Sequence, residues 1–118
     1  MLSYNYHIIS LDCISYFVYH CNFIHHSTTK IMPYATTNIK GVDFKVPDHY
    51  KIQKFLGQGA YGIVVEAIDS RSNTHVAIKK LEKVFNHLED AKRILRELSL
   101  LRYLAHENVT QMLDIVVP

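Results

Sequence analysis

Gly57-Gln58-Gly59-Ala60-Tyr61-Gly62-Ile63-Val64-Val65-Glu66-Ala67-Ile68-Asp69, followed beyond a short turn by His75-Val76-Ala77-Ile78-Lys79, decides how this chain folds. Three glycines at G-x-G-x-x-G spacing open it. The residues after them are apolar and largely β-branched, so Ile63–Asp69 predicts a strand. Ser70-Arg71-Ser72-Asn73 reads as a turn, and His75–Lys79 as the next strand. Upstream, Tyr50–Leu56 alternates polar and apolar residues, with Ile52 in one phase and Phe55 and Leu56 in another, which predicts a first strand interrupted by a phase change. Three consecutive short strands with tight connections make an antiparallel meander.

Downstream the period changes. Leu88, Ala91, Leu95, Leu98 and Leu101 recur at helical spacing. Asn86 is a suitable N-cap, with Glu89 three residues later as in a capping box. Glu89 and Asp90 favour the positive end of the helix dipole, and Lys92, Arg93 and Arg96 follow. A last apolar run, Met112–Val117, predicts a fourth strand. The expected fold class is α+β: an antiparallel sheet with one helix.

The 118 residues leave room for one modest domain. The formal net charge of +2 is too small to argue for nucleic acid or an anionic membrane as a partner. The average hides a seam. Met1–Thr29 holds a single charged side chain, Asp12, together with both cysteines (Cys13 and Cys21) and four of the eight histidines. Two cysteines make no disulfide framework and suit a reducing compartment. A signal peptide needs a basic start, yet no Lys or Arg precedes Lys30; a membrane span needs an apolar run that Asp12, His20, Asn22 and His25 interrupt. His20, Cys21, His25 and His26 lack the paired spacing that sets four ligands around zinc. The expected division is therefore 1–43, a poorly ordered aromatic-rich extension and linker, and 44–118, the folded part. No metal site is expected.

Two unrelated sites use G-x-G-x-x-G. In a dinucleotide fold the glycines open a helix, and an acidic residue roughly 20 positions on holds the ribose. Here a strand follows, and the next strand closes on Lys79, so that reading fails. The other is a hairpin folded over a triphosphate, where glycines let backbone N–H groups approach phosphate oxygens and a lysine on a neighbouring strand supplies fixed charge. Such a lysine needs a carboxylate to hold its flexible stem, and Glu97, bordering the apolar stripe of the helix, is the candidate. Taken singly, Lys79 could be a solvated strand lysine and Glu97 half of a surface ion pair. Their order along the chain favours the site.

Gly57-x-Gly59-x-x-Gly62-x-Val64, then Val76-Ala77-Ile78-Lys79, then a helix bearing Glu97 resembles the opening of eukaryotic protein kinases. Gly59-Ala60-Tyr61-Gly62, Val76-Ala77-Ile78-Lys79-Lys80, Phe85-x10-Arg96-Glu97 and His106-Glu107-Asn108-Val109 are similar to the mitogen-activated protein kinases. The resemblance covers about Phe44–Pro118. It implies a partial N-terminal lobe. Leu56 and Val64 would roof the adenine of ATP, with Ala77 against it. The backbone of Gly57, Gln58, Gly59, Ala60, Tyr61 and Gly62 would cover the phosphates. Lys79 would bind them and pair with Glu97. Strand alternation would send Lys80 to the other face. Arg93 and Arg96 would receive the phosphorylated activation lip. The resemblance also implies Mg²⁺, protein substrates and an upstream kinase for a full-length form, in a cytoplasmic or nuclear setting.

The chain departs from the pattern downstream. It contains no His-Arg-Asp, no Asp-Phe-Gly and no Thr-x-Tyr lip, and by the family pattern it stops before a fifth strand and hinge. The Mg²⁺ ligands are therefore absent. The expectation is a catalytically inactive portion of a Ser/Thr kinase, with a non-catalytic lobe remnant or binding decoy as the rival reading.

Overall fold

The computed structural model of the chain describes residues 6–11 (as backbone), 33–60, 62–83 and 86–117. Its elements in order are β1 (Tyr6–Leu11), β2 (Tyr34–Ile39), β3 (Val42–Pro47), β4 (Tyr50–Gly59), β5 (Gly62–Asp69), β6 (Thr74–Leu81), α1 (Leu88–Tyr103) and β7 (Gln111–Val116). The meander read from the sequence is β4-β5-β6, antiparallel throughout. The phase change in the first strand is real: the β4–β5 register slips between Ile52 and Lys54, and again between Phe55 and Gly57. Each bulge re-aims the residues beyond it.

The sheet has five strands in the order β4-β5-β6-β1-β7. β1 comes from the front piece and runs parallel to both its neighbours. The rest of the front piece, 1–5 and 12–32, with the order, signal and membrane-span readings that concern it, lies outside the described residues. The zinc reading falls there too.

The Thr-rich stretch read as linker is instead half of a hairpin. β2 pairs antiparallel with β3 from Tyr34↔Pro47 to Ile39↔Val42, and the seam expected at 43/44 runs through β3. Lys40 (φ 52°) and Gly41 (φ 82°) form its two-residue turn. Positive φ at both central positions matches the twist of the strands, and Gly41 meets it without a Cβ penalty. Asn38 Oδ1 accepts from Gly41 N at 3.1 Å, and Asn38 Nδ2 donates to Asp43 Oδ1 at 2.6 Å.

This hairpin covers one face of the sheet and α1 the other. Phe44 and Val46 from β3 pack with Tyr50, Val65, Ala67, Val76 and Ile78 in the main core. Alternation on β6 puts Val76 and Ile78 on that face, with Leu81 and the helix on the opposite one. There Leu81 and Ile94 form a smaller buried cluster with Leu98, Leu101, Met112 and Ile115 packed around it. The N-cap of α1 is His87 and its side chain makes no capping hydrogen bond, so the expected Asn86–Glu89 capping box does not form. Glu89 and Asp90 do occupy the first turn, where the helix dipole favours them. Among the described residues, no helix is long and apolar enough to cross a membrane.

Candidate functional site

The site begins where β4 turns into β5. Gly59 pairs with Gly62, Ala60 sits exposed in the turn, and Tyr61 lies outside the described residues. The three glycines are not equivalent. A Cβ on Gly62 would lie 1.8 Å from the carbonyl oxygen of Lys80, so β6 runs too close for any side chain. A Cβ on Gly57 or Gly59 would meet nothing within 4 Å. The fold therefore requires glycine at position 62, and leaves open space over the backbone at 57 and 59.

Val64 and Lys79 are directly paired across β5 and β6, so they share the helix-side face. Ala77, two residues before Lys79, lies on the same face and is buried. Leu56 stands at the second bulge, partly exposed. Lys79 Nζ donates to Glu97 Oε1 at 2.7 Å, joining sheet to helix. The lysine side chain is 23% exposed and the carboxylate 40%. A pair this open adds within about 1 kcal/mol to stability. Its consequence is positional: it fixes an ammonium on a long flexible stem.

Lys80 takes the opposite face. Its Nζ donates to the backbone oxygen of Asp43, lies 5.6 Å over the Phe44 ring and stands 3.5 Å from Glu82 Oε1. It ties the hairpin to the sheet and is withdrawn from the Lys79 side. Arg93 and Arg96 lie one helical turn apart, both exposed. Beyond the helix, His106–Val109 forms a turn: Asn108 N donates to His106 Nδ1 and Val109 N to His106 O, both at 3.0 Å.

Two polar clusters escaped the sequence reading. Glu66 is buried on β5 and is held by His75 Nδ1 at 2.7 Å and Lys54 Nζ at 3.1 Å. At the end of the meander remote from the glycines, a cavity of about 510 Å³ is lined by Tyr50, Asp69, Arg71 and Asp114 among others. Arg71 donates to both carboxylate oxygens of Asp69 at 3.0 and 2.8 Å, and holds that carboxyl below the usual carboxylate range. Burial, with the Asp114 carboxylate next in weight, pushes the Tyr50 phenol up to about 12. Its hydroxyl donates to Asp114 at 3.3 Å. This cluster fastens the 70–73 turn to β4 and β7. Spacing offered no signal for it, because its members come from four separate elements.

An open glycine turn, a lysine one strand away and a helix carboxylate holding that lysine are what the structure brings together. The family described as protein kinase domain matches residues 50–118. The chain is 42% identical over 107 residues to Extracellular signal-regulated kinase 1 of Dictyostelium discoideum, which covers 91% of this chain and 16% of the relative. It is 48% identical over 71 residues to Mitogen-activated protein kinase 8 of Oryza sativa subsp. japonica (60% of this chain, 12% of the relative). Against Mitogen-activated protein kinase 10 of Arabidopsis thaliana it is 44% identical over 86 residues (72% and 22%). The chain belongs to the mitogen-activated protein kinase family and corresponds to part of its N-terminal lobe. It spans between about an eighth and a quarter of the length of these relatives.

Proposed function

We propose that this chain is the ATP-phosphate-gripping part of a mitogen-activated Ser/Thr protein kinase. The observation that carries the reading is the Lys79–Glu97 pair at 2.7 Å on a strand whose Lys79 is in register, through Val64, with Gly57 of an open glycine turn. Backbone N–H groups at the two glycines would face phosphate oxygens, and Lys79, held by Glu97, would give the α- and β-phosphates a fixed charge. Leu56, Val64 and Ala77 would contact adenine, and Gln58, Ala60, Tyr61 and Gly62 would complete the turn over the nucleotide. Arg93 and Arg96, a helical turn apart, suit a clamp for a phosphorylated lip supplied by a longer form, which would also meet protein substrates and an upstream kinase. A cytoplasmic or nuclear setting accords with these partners.

When bound, ATP supplies the γ-phosphoryl group and Mg²⁺ neutralises the charge on its oxygens. The sequence has no Asp-Phe-Gly and no His-Arg-Asp, and no group of three or more His, Cys, Asp or Glu among the described residues could hold a metal. The residues present fit the triphosphate and not the magnesium. What these residues support is a grip on nucleotide phosphates, the part of the chemistry that Lys79, Glu97 and the glycine turn would supply.

The test is a titration of the ¹⁵N-labelled chain with ATP. The amides of Gly57 and Gly59 shift in the unmodified chain, and Lys79→Met weakens the response about tenfold, the value of one charge-assisted hydrogen bond. Glycine amides that stay put at high ATP, or a Lys79→Met chain that responds equally, sink the reading in favour of a non-catalytic lobe remnant or binding decoy.

A further inference from the structure

Between β6 and β7 the fold has a gap one strand wide. The chain leaves β6 at Leu81, passes through α1 and returns as β7 running the same way. The two strands pair with β1, not with each other. They stand two ladder steps apart, roughly 10 Å. A crossover that skips a position leaves two facing edges with rows of unpaired N–H and C=O groups. Residues 6–11 fill this gap, although they lie outside the matched 50–118 and belong to the compositionally distinct front piece. The other strand pairings of the described residues are antiparallel; β1 alone is parallel, and on both sides.

The helix spans the same gap. Ile94 and Leu81 are the buried centre of a cluster that takes in Leu98 and Leu101 from α1 and Met112 and Ile115 from β7. α1 thus rests on β6 and β7 at once, and the separation of those strands sets where its residues stand over the sheet. Ile9 of β1 is in register with Lys79 on one side and with Ile115 on the other. The residue between the lysine and the seat of the helix is therefore supplied by the front piece.

We propose that residues 6–11 are a spacer strand that positions α1 and so keeps Glu97 within reach of Lys79. The meaning of that pair rests on the function proposed above; the geometric role does not, and the test below needs no nucleotide.

In the unmodified chain, amide exchange by NMR finds 6–11 protected together with 77–81 and 111–116. Ile9→Pro removes a ladder N–H and opens both pairings. It strips protection from 111–116 and from the β1-facing amides of β6, while β4 and β5 remain protected. The side-chain carboxyl ¹³C signal of Glu97 reports the pair directly. Lys79→Met moves it in the parent chain and leaves it unmoved in the Ile9→Pro background. The proposal is overturned if 6–11 of the unmodified chain exchange at free rates while 76–81 stay protected. It is equally overturned if the Glu97 signal still answers to Lys79→Met once β1 is broken. Should Ile9→Pro unfold the whole chain, exchange in the unmodified protein decides.

Discussion

The two faces of the sheet are built to different standards. On the hairpin side, Phe44, Val65, Ala67, Val76 and Ile78 are fully excluded from solvent and Val46 nearly so. On the helix side, among the described residues, Ala77, Leu81 and Ile94 reach comparable burial, while Leu100 and Tyr103 of the helix stand exposed. The site draws one partner from each. Lys79 rides on β6, fixed by the dense face behind it, whereas Glu97 rides on a helix held by a thin cluster. The denser packing lies on one face and the helix half of the candidate site on the other. A 2.7 Å contact between them reports the state of the looser side.

The largest expected effect tests that asymmetry. Phe44→Ala should cost about 3–5 kcal/mol, the range for truncating a fully buried aromatic. Leu98→Ala, at a partly buried position, should cost less than about 2 kcal/mol, since fully burying a leucine is worth only about 1.5–3. Urea denaturation of both variants makes the comparison. Equal losses would mean the helix face is as tightly organised as the hairpin face.

A smaller effect separates the glycines. Gly62→Ala drives a methyl into the Lys80 carbonyl and should destabilise by about 1–3 kcal/mol, because neither strand can yield without breaking its ladder. Gly57→Ala and Gly59→Ala meet open space and should leave the unfolding free energy from urea denaturation within about 0.5 kcal/mol of the parent, as substitutions without new contacts do. If all three destabilise alike, the openness above the turn is not real and the case for a ligand there weakens.

These contrasts mark how far the sequence could be read. β4, β5, β6, α1 and β7 were each legible, because their apolar residues repeat at the period of the element they form. Lys79 and Glu97 were legible as a pair from their order in the protein-kinase pattern; alternation said only that Lys79 and Lys80 take opposite faces, not which of them meets the helix. The β2–β3 hairpin was not. Thr36, Thr37 and Asn38 carry a linker's composition, and the alternation of Ala35, Thr37 and Ile39 matters only once Val42, Phe44 and Val46 fold back on it. β1 could not be read at all as a member of the sheet, since its place depends on a gap that opens only after the crossover through α1. Local pattern fixes elements; long-range vacancies are filled by whatever segment reaches them.

His49 sharpens the comparison by pH. It lies buried beside Tyr50, ring centroids 4.1 Å apart, and its Nε2 has no hydrogen-bond partner. Burial, and after it the charge of Arg71, push its pKa below the usual 6.5, against the opposing pull of Asp69, Asp48 and Asp114. The folded chain then resists a proton that the unfolded chain accepts. The full stability is present above about pH 6.5 and is lost progressively as pH falls from there through the lower folded value. His49→Phe keeps the ring contact and removes the titration. Its stability at pH 7.5 should match or exceed the parent's, and its decline between pH 6.5 and 5 should be shallower. An unchanged acid limb would assign that decline to groups on the helix face instead.

The smallest effect comes from the start of α1. His87 occupies the N-cap in extended conformation (φ −132°, ψ 132°), the backbone shape a capping residue needs, yet its side chain makes no bond to the helix. His87→Ser would place a hydroxyl oxygen where it can accept from the N–H two or three residues on, and should add about 0.5–1 kcal/mol. Because the helix rests on the thinner cluster, the gain should appear as slower amide exchange in α1 and at Glu97, with β4 and β5 unchanged. Protection rising uniformly through the chain would show that the helix and the meander open together. The two faces would then be one cooperative unit, and Glu97 would have no freedom to move independently of Lys79.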